Sequence, residues 1–331
     1  MRTVKRNALR IAAATVASGV LAAGAVALAG AASASTLSAS SATSYRFATH
    51  DNTRDLTFNQ LLGINDEGVI AGYFGSGAQG HPNKGYVLLP PYGQGNYVNE
   101  NFPGSVQTQV TGLNNRGVTV GFWSSMNTAS MSNNNFGWVN VDGHFRNADF
   151  PTGNPASPPV DQLLGVNDSD IAVGFYTDAN GNNHGYEYNI STSRFSTVVD
   201  PSAPGASLTA AAINDRGDVA GFYTNPGTGN TDGFLLSHGH LTDLAVPGAS
   251  STMALGVNNY DEVVGVYTVG SGSSAQMHGF TWTAQHGFST VDDPHGMGTT
   301  TINGVNDFGQ VVGFYVDANG NTDGFVATPQ R

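Results

Sequence analysis

Two segments carry residue types and spacing suited to holding a hard cation. Asp178-Ala179-Asn180-Gly181-Asn182 and Asp317-Ala318-Asn319-Gly320-Asn321 each place carboxylate or amide oxygens at their first, third and fifth positions. Calcium takes roughly six to eight oxygen ligands and favours such a density of donors. Neither segment supplies the bidentate glutamate that completes an EF-hand, and Asn-Gly is a strong hairpin turn by itself. Asp178, Asn180, Asn182, Asp317, Asn319 and Asn321 are therefore a candidate calcium set that competes with two plain turns. No other cofactor is implied. His184 and His278 each precede a Gly-aromatic pair. To bind a metal they would need further ligands aimed at the same point, so packing or loop histidines are the competing reading.

Stacking chemistry is the second possibility. In a chain rich in Asn, Ser, Thr and Gly, an exposed indole or phenol ring offers a sugar its CH-stacking platform. Trp123, Tyr92, His81 and Trp138 form the candidate ligand-binding set, close to the longest polar connection in the chain. Trp138 also occupies an aromatic position that recurs along the chain, which suits a core side chain equally well. Glu187, Tyr188 and Arg194 are further local departures from the recurring pattern. No Ser-His-Asp order, paired-carboxylate motif, phosphate loop or His-Glu-x-x-His is present, so no catalytic residue is assigned.

What positions these residues is a repeat. Asn65, Asn114, Asn167, Asn214, Asn258 and Asn306 anchor six similar units, spaced 49, 53, 47, 44 and 48 residues apart. That is the length of a four-stranded propeller blade. Each unit reads as a strand a ending in an apolar residue and the anchoring Asn, a tight turn with the form Asn-x-x-Gly in four units, and a β-branched strand b. A polar loop then leads to strand c, opened by Gly and an aromatic, and to a short strand d. Turn formation alone accounts for the six asparagines, since Asx side chains bond their own backbone and Gly accepts positive φ. The expected fold is all-β: a six-bladed β-propeller of four-stranded blades. Alternate connections share a rim, so the b–c and d–a loops would present the candidate residues on one face.

The ends complete the pattern. The sixth unit lacks a strand d after Phe325-Val326, and Tyr45-Arg46-Phe47-Ala48-Thr49 precedes the first strand a. Pairing that N-terminal strand with the last C-terminal strand would close the ring and remove open sheet edges. Ahead of it, Arg2, Lys5, Arg6 and Arg10 lead into an uncharged run from Ile11 to Gly30 and then Ala32-Ser33-Ala34. This reads as a signal peptide over residues 1–34, with an uncleaved anchor as the alternative. A flexible Ser/Ala/Thr-rich lead-in follows over 35–44, then a single six-repeat domain over 45–331.

Cleavage after Ala34 would leave eight basic residues, Lys84 the only lysine, against 24 acidic ones, a net charge of −16. Such a surface disfavours nucleic acid and anionic membranes and suits cations, neutral glycans or basic partners. The chain has no cysteine, which excludes disulfides and thiolate chemistry. A secreted, extracellular monomer without stable membrane insertion after cleavage is expected.

The unit resembles the extracellular "HAF" repeats, named for a His-Ala-Phe signature near strand c, here His184-Gly185-Tyr186 and His278-Gly279-Phe280. Lys84, Phe136, Asp232 and Asp323 replace the histidine in the other units. The resemblance spans residues 45–327 and implies an exported repeat protein, with no catalytic residue to carry over. Two functions follow. One is an exported non-enzymatic binding or surface protein that presents polar rim loops to a glycan or protein partner. The other is a secreted glycan-active hydrolase or lyase with one site on the rim or in the channel. Convergence of the non-consensus His, Glu, Arg and Tyr on one pocket would favour the enzyme, and scatter the binding protein. A single ligand site is expected near units one to three.

Overall fold

The computed structural model describes residues 43–126, 133–200 and 202–330. The signal peptide expected over 1–34 and nearly all of the lead-in lie outside the described residues. Within them no helix is long and apolar enough to cross a membrane.

The fold is all-β, and each of the first five units supplies four strands, antiparallel within the unit. β1 (Tyr45–Thr49) precedes the first unit, which comprises β2 (Asn59–Ile64), β3 (Ile70–Phe74), β4 (Lys84–Leu88) and β5 (Tyr97–Asn99). The second is β6 (Gln107–Leu113), β7 (Thr119–Ser124), β8 (Phe136–Val141) and β9 (His144–Asn147). The third is β10 (Asp161–Val166), β11 (Ile171–Thr177), β12 (Asn183–Asn189) and β13 (Arg194–Val198). The fourth, β14 (Leu208–Ile213), β15 (Val219–Thr224), β16 (Thr231–Ser237) and β17 (His240–Leu244), joins the fifth through the parallel pair Thr231↔Ser251. The fifth is β18 (Ser251–Val257), β19 (Val263–Val269), β20 (Gln276–Thr283) and β21 (Gly287–Thr290). The sixth has β22 (Thr301–Val305), β23 (Val311–Val316) and β24 (Thr322–Pro329), and β1 is its fourth strand. The register of that pairing runs from Tyr45↔Pro329 to Thr49↔Phe325. Among the described residues no sheet curls round to pair with itself.

The repeated residues explain the repeated geometry. Every a–b pair shifts register at the same place, as at Leu61/Gly63, Val110/Gly112 and Ile302/Gly304. Such a bulge bends the strand and turns an extra side chain inward. Glycine follows because the first strands of neighbouring units nearly touch: a Cβ on Gly112 would lie 2.7 Å from the Leu164 carbonyl oxygen. The turned-in residues Leu62, Thr111, Leu164, Ala211, Leu255 and Asn303 line a central cavity. On strand b the glycine lies beneath the aromatic that opens strand c. A Cβ on Gly265 would fall 2.8 Å from the Phe280 ring and 1.9 Å from the Met253 carbonyl oxygen. The Gly-aromatic signature is thus a packing device.

The core lies between sheets. Val120 and Val139 of the second unit pack with Leu163 and Tyr186 of the third, and Leu61, Ile70 and Tyr86 of the first pack with Val312 and Val326 of the sixth. Each of the six interfaces has a cluster of this kind, so burial runs around the array instead of collecting at one centre.

Candidate functional site

The anchoring asparagines do more than close turns. In each turn the Asn Oδ1 accepts two backbone N–H groups, for Asn65 those of Glu67 at 3.1 Å and Val69 at 2.8 Å. Its Nδ2 reaches across to the next unit and donates to the carbonyl of the following anchor: Asn65 to Asn114, then to Asn167, Asn214, Asn258 and Asn306. Asn306 donates to the carbonyl of Asn65 at 3.1 Å, returning the chain of bonds to its start. The next residue in each turn makes a second circuit. The backbone N–H of Asp66 meets Asn115 Oδ1, and the pattern passes through Asp168, Asp215, Asn259 and Asp307 back to Asp66. Asn115 and Asn259 each bridge two carboxylates through Nδ2. These residues ring a solvent-open depression of about 390 Å³. Every carboxylate oxygen in the ring already accepts a hydrogen bond from it, so the ring reads as a seam between units. In units three and five Asp170 and Asp261 take the place of glycine at φ 58°, a conformation Asp tolerates better than most residues.

The two candidate calcium loops close on themselves. Asp178 Oδ1 accepts the N–H groups of Asn180 and Asn182 at 2.8 and 2.9 Å, and Oδ2 faces His184 Nε2 at 3.1 Å. Asp317 Oδ1 accepts the N–H groups of Asn319 and Asn321, and its Oδ2 accepts both side-chain amides at 3.1 Å. The amides turn their NH₂ groups, not their oxygens, toward the carboxylate. What little burial Asp178 has works against its charge, yet the bonds from Asn182, His184 and Asn180 hold it down at about 2. Among the described residues no three His, Asp or Glu side chains are placed to hold one metal ion. Saturating calcium is accordingly expected to shift the melting temperature by less than about 1 °C. A rise of several degrees that disappears in the Asp178→Ala/Asp317→Ala double variant, read by differential scanning calorimetry, would instead make these loops a calcium site.

The stacking set is not gathered into one pocket. Trp138 is fully buried and belongs to the core between units one and two. Trp123 lies flat on Phe102, with ring centroids 4.8 Å apart, and against Phe136 at 5.0 Å, while its Nε1 donates to Asn147. One face of its indole is therefore covered by Phe102. The Tyr92 hydroxyl donates to the Gly68 carbonyl at 2.8 Å, and the ring meets His50 edge-on. His81 is exposed and pairs with Asp55 at 3.0 Å. No hydrogen bond or ring contact joins His81 or Tyr92 to either tryptophan. The long connection after Trp123 lies partly outside the described residues, at 127–132.

The histidines are equally dispersed. His184 stacks on Tyr176 and pairs with Asp178, and His278 stacks on Tyr267 and pairs with Asp292 at 2.7 Å. His295 pairs with the buried Asp293 at 3.0 Å. Glu187 accepts from Ser196 of its own sheet. Two features went unmarked in the sequence because they depend on which positions face each other across units. One is Asp161, buried between units two and three, which accepts from Tyr186 Oη at 2.5 Å and from the Phe150 N–H at 2.7 Å; burial pushes it up to about 8. The other is a group of carboxylates around Tyr315 and, in unit four, around Tyr223. The substitution of Asp for His at 232 and 323 was the visible signal for the second.

No family model matches the chain, and no curated protein matches it. Solved structures similar to it include a streptogramin B lyase (10% identity, TM-score 0.47, covering 86% of this chain and 98% of that one). Others are an ulvan lyase of polysaccharide lyase family PL25 (14% identity, TM-score 0.42, 81% and 78%) and the SapL1 lectin in complex with alpha-methyl fucoside (6% identity, TM-score 0.48, 78% and 88%).

Proposed function

We propose that this chain is an exported, HAF-like repeat protein whose six four-stranded units form a six-bladed propeller latched by β1, and that it binds glycans through the b–c and d–a rim without acting on them. The ring is supported by the two hydrogen-bond circuits that return to the first unit and by the isolated parallel bridge Phe58↔Thr322 between units one and six. That bridge repeats the Asn135↔Val160 and Met277↔Thr299 junctions between other neighbours.

Dispersal carries the functional reading. Each of His81, His184, His278 and His295 is committed to its own carboxylate, and they fall in different units or inter-unit loops. A hydrolase or lyase requires its acid, base and substrate-orienting groups within hydrogen-bond reach of one bond. Repeated rim positions bearing an aromatic beside a carboxylate or imidazole suit several weak contacts with a repeating polymer. The test is a glycan screen with calorimetry on the hits, run alongside assays for new reducing ends and for unsaturated ends. Binding with more than one site per chain and no cleavage is expected. Stoichiometric single-site binding accompanied by chain cleavage would establish the enzyme instead.

A further inference from the structure

The a–b turns lie at the opposite end of the strands from the b–c and d–a loops, and one position in them does not follow the repeat. The residue two places after each anchoring asparagine is Glu67, Arg116, Ser169, Arg216, Tyr260 and Phe308 in units one to six. All six are exposed, so the fold leaves their identity free. The two arginines reach sideways over the next unit: Arg116 pairs with Asp170, and Arg216 donates to the Asn259 carbonyl and pairs with Asp261. Tyr260 and Phe308, in the adjoining units five and six, are not engaged in this way. They are 72% and 66% exposed, and their side chains make no hydrogen bond or ring contact among the described residues.

These two turns are clamped together. Asn258 Nδ2 donates to the Asn306 carbonyl at 3.1 Å, and the Asn259 N–H to Asp307 Oδ1 at 2.8 Å. Two aromatic residues thus occupy equivalent places on neighbouring turns, each following directly on a residue, Asn259 or Asp307, that lines the solvent-open depression of about 390 Å³. That volume is near the lower end of small-ligand sites, roughly 300 to 1,000 Å³, and suits one sugar ring better than a chain of them. The lining is of two kinds. The Asn and Asp side chains of the turns make a polar wall, and Ile64, Leu113, Val166, Ile213, Val257 and Val305, each just before an anchor, make an aliphatic throat that leads to the cavity beneath. In the wall each carboxylate oxygen accepts one bond of the circuit, as at Asp215 and Asp307, and keeps a second lone pair. A lone exposed aromatic is ordinary on a protein surface. Two on joined turns, beside a depression with polar walls and an aliphatic floor, are not.

We propose that this axial depression binds a single neutral pyranose ring at the end of a saccharide, its CH faces against Tyr260 and Phe308 and its hydroxyls on Asp307, Asn259 and Asp215. The site goes beyond the rim reading and uses none of its residues. A pyranose pairs apolar faces with a hydroxyl-bearing edge, which is the division seen in the lining. The amide hydrogens of Asn259 are spent on Asp215 and Asp307, so what the wall has left to offer is acceptors, and hydroxyls can donate to them. The same wall repels a uronate or a sulfated sugar. A quaternary ammonium is disfavoured because aromatic recognition of such a cation is strongest in a desolvated cage, and these two rings stand open to solvent.

The experiment is an NMR titration of the folded chain with the methyl glycosides of glucose, mannose and galactose, with methyl glucuronide and choline as contrasts. At least one neutral glycoside is expected to shift the Tyr260 and Phe308 amides and the Asn259 side-chain amide saturably, and the glucuronide to bind at least about tenfold more weakly. The Tyr260→Ala/Phe308→Ala double variant should weaken binding about tenfold. The Tyr260→Phe/Phe308→Tyr variant, which keeps both rings, should stay within about twofold of the unmodified chain. Val98→Ala, which trims exposed apolar surface on the outer strand of unit one, should change nothing. Glycoside shifts confined to the b–c and d–a loops would overturn this site and leave rim binding standing. Unchanged affinity in the double alanine variant, or an equal loss in Val98→Ala, would overturn it too. Tighter binding of choline would replace it with a cation site, and no shift with any glycoside would end it, while the rim reading keeps its own test with polymers.

Discussion

A chain that starts at His50 is expected to melt at least about 10 °C below one that starts at Thr43, or to lose cooperative unfolding altogether. β1 is a single five-residue strand, yet it is the strand paired along the outer edge of β24, from Phe325 to Pro329. Its Phe47 ring lies 5.3 Å from Phe325, and Tyr45 and Phe47 cover the core shared by units five and six. Losing two half-buried aromatics and a five-residue ladder amounts to about 4 to 6 kcal/mol, a large share of the stability of a domain. The loss also uncovers β24 as an open strand edge, so dimerisation or aggregation should accompany the lower melting temperature. Phe47→Ala, which keeps the ladder and removes one ring, should fall between the two. Equal melting temperatures for the Thr43 and His50 starts would mean that the array holds together without its latch.

Much of this was legible because the repeat converts three-dimensional requirements into recurring letters. The six anchoring asparagines marked the units, and the fragment Tyr45–Thr49 revealed the offset that β1 fills. Turn chemistry explained those asparagines only in part. Their Nδ2 donations to the next unit join residues 44 to 53 positions apart and are invisible until the units are set side by side. The rim was harder to read for the same reason. Trp123 looked like a free platform because nothing in its own strand indicates that Phe102, from the preceding d–a loop, will cover it. At Asp178 and Asp317 the order of atoms around each carboxylate is set by backbone N–H groups that composition does not show. Burial of Asp161 was likewise hidden: its place in strand a is taken by the polar Asn59, Thr108, Thr252 and Thr300 in four other units, and only unit four puts an apolar residue, Leu208, there.

That buried acid yields the other large expected effect. Between about pH 4 and pH 8 the protein should become less stable as pH rises, and Asp161 should make the largest single contribution to the slope. An unfolded Asp releases its proton near pH 3.9, whereas burial holds Asp161 protonated up to about 8 in the folded chain, against the opposing bonds from Tyr186 and the Phe150 backbone. Below the unfolded value both states carry the proton and the full stability is present. Across the interval only the unfolded state ionises, so folding is progressively disfavoured, and above the folded value the loss is complete. A shift of this order corresponds to roughly 4 to 6 kcal/mol. Asp149, raised to about 6 by burial, and Asp51, raised to about 7, add smaller contributions of the same sign. Asp178 and Asp317, whose values are lowered, act only below about pH 4, where their stabilisation is lost as acid is added, so the two effects occupy different windows. Asp161→Asn keeps an acceptor for the Tyr186 hydroxyl or the Phe150 N–H and cannot ionise. Chemical denaturation from pH 4.5 to 8.5 should therefore show a decline for the unmodified chain and a shallower one for the variant, the remainder coming from Asp149 and Asp51. Should the variant fold poorly, carboxyl carbon NMR of the unmodified protein gives the same answer directly. Titration of Asp161 below about pH 5, or stability that rises with pH across this window, would show that its ionised form is accommodated at the interface of units two and three.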